Sequence, residues 1–458
     1  MIAVTEYKGQ AIGVFGLGKA GEATVAGLVA GGAEVYAWDD KTADAPARTD
    51  GVNLVPFQEW PWEKLSALVL SPGVPLTHPQ PHAVVKIAMK QGCPVLGDVE
   101  LLCRAQTKAR YVAITGTNGK STTTTLIGHI LKEAGVPVQV GGNLGTAALS
   151  LEPLGEDGVY VIETSSYQLD LLHTARFHVA VWLNITPDHI DRHGDIGGYV
   201  AAKKNIFCGQ QATDTAVVAV DDEHSNHTAD QLHAAGRKVV YVSSQRKTGG
   251  VYVLDGILHD FLSQQRFDLR GISTLTGRHN WQNAAAAYGA CRMLGIAPET
   301  IYKAMQSFAG LRHRLQLVAT LRGVRFINDS KATNADATQH ALAPYEHIYW
   351  IAGGKAKEGG IESLQGLFSK ITHAFLIGEA KNSFAHTLEG LVPYTHSGTL
   401  EAAVAQAAQL AFAEGREGAV VLLSPACASF DQFKSFEHRG DVFCELVEKL
   451  AQGETDAA

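Results

Sequence analysis

The segment Ile114-Thr115-Gly116-Thr117-Asn118-Gly119-Lys120-Ser121-Thr122 sets a Gly/Thr/Asn loop directly after the apolar run 111–114 and directly before a stretch with helical spacing. A strand that ends in such a loop and continues as a helix points several backbone N–H groups at one spot, where the helix N-terminus adds positive potential. Lys120 supplies a full charge, and Ser121 a hydroxyl able to ligate Mg2+. The segment departs from G-x-x-x-x-G-K-[ST] in one place, because Ile114 stands where the first glycine would be. A phosphate-binding loop within an α/β unit uses all of these residues. A plain polar loop leaves the lysine and the strand–helix setting unexplained.

Working outward, the runs 159–162, 179–183 and 215–220 read as buried strands of the same parallel sheet. The first delivers Glu163-Thr164-Ser165-Ser166 and the second delivers Asn184 through Asp188-His189. Ligands of open α/β sheets gather outside strand C-termini, so Glu163 and His189 are expected to face the phosphate loop, a carboxylate and an imidazole suited to Mg2+. Taken singly, each is as readily a surface acid or a packed histidine. The H-x-x-x-H spacing of His189 and His193 can mean zinc on a helix, but Gly194 and the polar turn after it favour a loop. Residues 238–276 alternate as short strands and predict a small β annex, followed by an alanine-rich helix over 279–294. Lys203 and Lys204 follow Tyr199-Val200-Ala201-Ala202 on a helix, where spacing alone gives a solvated face.

Towards the N-terminus, strand 12–15, the turn Gly16-Leu17-Gly18-Lys19-Ala20-Gly21, helix 22–30 and strand 34–38 repeat the theme. This G-x-G-x-x-G lets a diphosphate approach the backbone at a helix N-terminus. Taken literally it is the fingerprint of an NAD-dependent oxidoreductase, and taken blandly a tight turn. It leaves open which nucleotide binds. Strand 68–70 ends at Ser71-Pro72-Gly73, and this unit closes near Gly97.

The last third alternates strands 349–352, 373–377 and 419–423 with helical stretches such as 399–414 and 431–450. Three polar tips follow strands: Asn328 through Asn334, Gly353 through Lys357, and Ser424 through Ser429. Ser429 reads either as a helix cap or as a carboxylate holder. Together the tips suggest an anionic second substrate.

Composition is that of an ordinary globular chain: 458 residues, 46% hydrophobic, 18% charged, net charge −8. No Lys/Arg run offers a sequence-independent grip on nucleic acid. The six cysteines are scattered without a C-x-x-C pair, as in a reducing compartment. Neither a signal peptide nor an apolar stretch of 18 residues is present, so a soluble cytoplasmic protein is expected.

In this order the motifs resemble those of the Mur ligases of peptidoglycan synthesis. The likeness spans the whole chain: GTNGKST at 116–122, GGNLG at 141–145, ETSSYQLD at 163–170, NITPDHIDRH at 184–193, YVAAK at 199–203, GRHNWQN at 277–283, INDSKATN at 327–334 and LSPACASFDQFKSFEHRG at 423–440. The phosphate loop and the Glu163 region are shared with folylpolyglutamate synthases. The long C-terminal motif together with a true G-x-G-x-x-G points to the family's D-glutamate-adding members.

The resemblance implies three α/β domains: a Rossmann-like UDP-substrate-binding domain (1–98), a central P-loop-type ATPase domain (99–310) and a C-terminal Rossmann-like amino-acid-binding domain (311–458). It implies that ATP phosphorylates the alanyl carboxylate of UDP-N-acetylmuramoyl-L-alanine and that the amine of D-glutamate attacks the resulting acyl phosphate, in a cytoplasmic monomer. Gly116, Thr117, Asn118, Gly119, Lys120, Ser121 and Thr122 would cradle the ATP phosphates. Asn280, Asn283, Arg314, Asp329 and Lys331 would meet adenine and ribose. Ser121 and Glu163 match ligands of one Mg2+, and His189 that of a second. Lys203 matches the family lysine carried as an N-carbamate, which helps hold the second metal; Lys120, His189 and Lys203 are then the catalytic set. The UDP moiety would lie on Leu17, Asp39, Gly73 and Asn143, with Asp39 accepting the uracil N3–H. D-Glutamate would meet Thr333, Lys357, Ser429 and Phe436. One departure stands out: Asp40-Lys41 replaces the Ser/Thr-Arg that often follows the family aspartate, which unsettles the diphosphate contacts.

Three other readings compete. A sister ligase would add a different amino acid to a UDP-muramoyl or folate-like acceptor. An NAD-dependent oxidoreductase leaves GTNGKST unexplained. A non-catalytic nucleotide-binding protein would need degraded metal and lysine positions, and here they stand intact.

Overall fold

Ala11–Phe15 is apolar throughout and buried at every position, because it pairs in parallel on both sides, with Glu34–Trp38 and with Leu65–Leu70. The computed structural model describes residues 1–40, 48–49, 51–355 and 360–455. Around Ala11–Phe15 the first sheet runs Arg48–Thr49, Val52–Leu54, Glu34–Trp38, Ala11–Phe15, Leu65–Leu70, Val95–Leu96, parallel except at the Arg48–Thr49 edge. Gly16 turns the chain at φ +93° into helix Lys19–Ala30. A Cβ on Gly21 would lie 1.8 Å from the Gly16 carbonyl oxygen, so the third glycine of the fingerprint is demanded by helix–strand packing.

Arg110–Thr115 sits inside the second sheet. Val159–Glu163 and Val138–Gly142 lie on one side; Val179–Trp182, Thr215–Ala219, Lys238–Ser243 and Val251–Leu254 follow on the other, all parallel. The strand order thus reverses at Arg110–Thr115, a topological switch point, and the phosphate loop opens from that strand's C-terminal end. The expected β annex is not separate. Ile257–Asp260 and Gln265–Asp268 extend this same nine-stranded sheet antiparallel, because Val242, Val251, Val253 and Leu258 share one core with the alanines of helix Arg278–Met293. Helix Lys120–Glu133 packs into that core too.

The third sheet runs Gln316–Leu321, Val324–Asn328, Val420–Leu423, Ile348–Gly353, Ile371–Ile377, Tyr394–Gly398, parallel apart from the first hairpin. The helix expected from residue 431 begins later, as Phe436–Thr455. Residues 429–433 turn instead, with the Ser429 carbonyl accepting from the Gln432 and Phe433 N–H groups, so Ser429 does not cap that helix. The chain forms two compact units, Met1–Phe308 with the first two sheets and Ala309–Ala458 with the third. Among the described residues no helix is long and apolar enough to cross a membrane.

Candidate active site

The loop after Arg110–Thr115 is held from the neighbouring strand end. Thr117 N–H donates to the Asn184 carbonyl (2.8 Å) and Asn118 N–H to Asn184 Oδ1 (2.8 Å). Gly119, at φ +85°, caps helix Lys120–Glu133, and a Cβ there would lie 2.1 Å from Asn283 Oδ1. The phosphate loop and Asn283 are therefore in contact. Lys120 Nζ bends back to donate to the carbonyls of Gly116 (2.9 Å) and Thr117 (2.8 Å), which keeps its charge over the loop.

Val159–Glu163 pairs with Arg110–Thr115 so that Glu163 stands beside Ile114, at the loop's base. Glu163 is buried; its Oε1 accepts from Asn143 Nδ2 (2.8 Å), and its Oε2 has no hydrogen-bond partner among the described residues. A buried carboxylate oxygen left unpartnered is costly, and a cation is what satisfies it. No cage of three or more His, Cys, Asp or Glu exists among the described residues. That donor set fits Mg2+, which typically takes one or two carboxylates and completes its shell with phosphate oxygens, hydroxyl and water.

Helix Ile196–Lys204 ends beneath the loop. Lys203 is 1% exposed, donates to Gly116 O (3.0 Å) and Thr115 Oγ1 (3.3 Å), and sits 4.6 Å from the Tyr199 ring centre. Burial first, then the charge of Lys120, pulls its amine down to about 7. The solvated-face expectation is thus corrected for Lys203 and holds for Lys204, which is partly exposed and donates to Gln231 Oε1 (2.6 Å). Tyr199, which meets both Lys203 and Thr117 Oγ1 (3.3 Å), was not singled out from the sequence; its place one helical turn before Lys203 is the available signal.

His189 adopts φ +52°, is half exposed, lies 3.4 Å from Asp188 Oδ2 and packs on Tyr167. Where a loop was expected, Ile190–His193 forms one helical turn. His193 is buried, with Nε2 2.9 Å from Ser166 Oγ and Nδ1 3.5 Å from Asp170, and burial drops its pKa to about 4. Both of its nitrogens are committed to protein.

At the first sheet, Leu17 N–H donates to Asp39 Oδ2 (2.7 Å), and the Gly73 carbonyl accepts from Arg192. His82 Nδ1 accepts from Val84 N–H, which leaves Nε2 as the donor to Asp40 (3.1 Å). Asp40 is thereby partnered within the protein. Lys41 lies outside the described residues.

In the second unit, Asp329 is buried and accepts from Ser424 Oγ (2.8 Å) and Leu315 N–H (3.2 Å); burial pushes its carboxyl up to about 7. Lys331 Nζ lies 4.1 Å from the Phe436 ring centre, Ser429 is buried, Arg314 is exposed and Thr333 is half-buried just before helix Ala335–Leu342. Asn280, on the first unit's helix Arg278–Met293, accepts from Asn283 Nδ2 (3.4 Å). Lys357 lies outside the described residues.

Comparison with known proteins matches residues 114–291 to the Mur ligase middle domain and residues 313–427 to the "Mur ligase, glutamate ligase domain". A UDP-N-acetylmuramoylalanine–D-glutamate ligase of Rhodospirillum rubrum is 54% identical over 465 residues, covering 98% of this chain and 97% of that protein. This chain belongs to the Mur ligase family. A relative of the same name from Phenylobacterium zucineum is 50% identical, with both chains covered in full. Among solved structures, UDP-N-acetylmuramate-alanine ligase MurC from Thermotoga maritima superposes with a TM-score of 0.59 at 16% identity, covering 96% and 99% of the two chains. MurF ligase from the same organism, in complex with ADP, gives 0.57 at 17% identity, covering 98% and 97%. At such identities these Mur ligases share the fold.

Proposed function

We propose that this Mur ligase adds D-glutamate to UDP-N-acetylmuramoyl-L-alanine at the expense of ATP, in the cytoplasmic synthesis of peptidoglycan precursors. The observation that carries the chemistry is the unpartnered Glu163 oxygen at the base of a phosphate loop over which Lys120 is held. The choice of D-glutamate follows the names of the full-length relatives.

The substrate carboxylate attacks the γ-phosphorus and ADP leaves. The amine of D-glutamate then attacks the acyl carbon, and phosphate departs as the amide forms. Lys120 and the loop N–H groups meet the charge that develops on the transferring phosphoryl group, in a setting already organised before reaction. Mg2+, held by Glu163 and Ser121 and at a second site by His189 and N-carbamylated Lys203, would supply further neutralisation of phosphate charge. Tyr199 and the Gly116 carbonyl fix the Lys203 amine in place, and burial keeps much of it in the neutral form that combines with CO2. Leu17, Asp39, Gly73 and Asn143 bind the UDP-linked substrate; Asn280, Asn283, Arg314, Asp329 and Lys331 bind the adenosine of ATP; Thr333, Lys357, Ser429 and Phe436 bind D-glutamate.

ADP release with UDP-N-acetylmuramoyl-L-alanine and ATP, in the presence of each amino acid in turn, tests the assignment. D-Glutamate should support turnover and L-glutamate should not. Faster turnover with another amino acid would make the protein a sister ligase.

A further inference from the structure

Arg192 joins two loops that the reaction needs in register. From the single helical turn Ile190–His193, its Nη1 donates to the Gly73 carbonyl (3.1 Å), and its Nη2 to those of Val74 (3.1 Å) and Pro72 (3.5 Å). Its guanidinium lies 4.5 Å from the Tyr167 ring centre. Three successive carbonyls of one loop therefore converge on one planar cation, a geometry that the point charge of lysine cannot reproduce.

Each end of this link leads to a binding element. On one side, loop 71–74 continues into the glycine turn, since Ser71 Oγ donates to the Gly16 carbonyl (2.9 Å) and Ser71 N–H to Phe15 O (2.9 Å). On the other side, Arg192 N–H donates to the His189 carbonyl (3.0 Å). The next residue, His193, anchors the turn to Ser166, three residues beyond Glu163. His189 and His193 both pack on the same Tyr167 that stacks with Arg192.

We infer that Arg192 is a positioning residue that fixes the substrate loop 71–74 and the His189 turn in one geometry, so that occupancy of the UDP-substrate site is felt at His189. The inference rests on the proposed function for what loop 71–74 binds. The guanidinium has no part in the chemistry. It restricts two loops that would otherwise settle independently, which is how pre-organisation raises affinity.

The test uses the full chain with UDP-N-acetylmuramoyl-L-alanine, without ATP or Mg2+. In calorimetry Arg192→Ala should bind this substrate about tenfold or more weakly, the loss expected when the two loops must be ordered on binding. Its affinity for ATP should match wild type. In 13C-histidine spectra, the His189 ring signal (assigned by its loss in His189→Gln) should shift on substrate addition in wild type and stay still in Arg192→Ala. Arg192→Lys, which reaches one carbonyl at a time, should fall between the two. Substrate affinity within twofold of wild type in both variants, an unchanged His189 response, or an equal loss of ATP affinity would overturn the inference. A wild-type protein that fails to bind the UDP substrate would instead overturn the proposed function and this inference with it.

Discussion

Removing the Lys203 amine should nearly abolish turnover, and the reason can be worked from its surroundings. With its pKa drawn down from 10.5 to about 7, roughly three-quarters of the amine is neutral at pH 7.5, against about one part in a thousand for an ordinary lysine. Only the neutral amine combines with CO2, so the pool able to form a carbamate is enlarged by roughly two to three orders of magnitude. Lowering the pH to 6 should cut the neutral fraction to about one-tenth and slow carbamate formation in proportion. Lys203→Ala should lower ADP release by at least about 10²-fold, the scale for losing a pre-organised group at developing charge. A small carboxylate such as acetate should restore part of the activity by filling the vacated oxygen positions. Lys204→Ala, whose amine donates to Gln231, should stay close to wild type. The assay is ADP release at saturating substrates, with 13CO2 labelling and NMR to detect the carbamate. An essential Lys204 with a dispensable Lys203, or an active enzyme without a carbamate signal, would refute the reasoning.

Three further outcomes are expected. Lys120→Ala should reduce turnover by at least about 10²-fold, read in single-turnover assays, while calorimetry with the UDP substrate shows nearly unchanged affinity, because the Lys120 amine is held over the phosphate loop by the Gly116 and Thr117 carbonyls and is not among the groups proposed to bind that ligand. Ser429→Ala should raise the KM for D-glutamate by about one to two decades with ATP affinity nearly unchanged, the loss expected for a hydrogen bond to a charged group; an equal loss of ATP binding would point to a defect of the whole second unit. Asp329 has its folded-state pKa raised, from 3.8 to about 7, so the stability it contributes is full below about pH 4 and is lost as pH rises through 7. Denaturant titrations should show Asp329→Asn flattening that fall, by up to about 4 kcal/mol, while weakening ATP binding.

The phosphate loop was legible in the sequence because everything that makes it is local: an apolar strand, glycines at 116 and 119 where φ is positive, and a lysine at the helix start. The same holds for the glycine turn at 16–21 and for Glu163, the last residue of strand Val159–Glu163; His189 lies seven residues past strand Val179–Trp182 and is placed by the helical turn it precedes. Local pattern also misled in identifiable places. Short alternating strands at 238–276 gave no sign that their apolar side chains complete the core under helix Arg278–Met293, so an annex was expected where the sheet continues. Residues 431–435 carry helical spacing, yet the backbone there is spent on the turn at Ser429.

What only the tertiary structure decided is the fate of side chains whose partners lie far along the chain. Helical spacing separates Lys203 from Lys204 by about 100° and is silent on which direction is inward. The answer came from loop 115–116, nearly ninety residues earlier, whose carbonyl and hydroxyl receive one amine and not the other. Asp40 reads as an unwelcome charge beside a diphosphate until His82, at the start of another helix, is found donating to it. Arg192 reads as one charge in a polar run until three carbonyls from residues 72–74 close around it. Sequence fixes which groups are offered and at which strand ends, because those depend on neighbours a few residues away. Burial, pKa and partnership depend on what the fold brings from elsewhere, and they set Lys203 apart from its neighbour on the same helix.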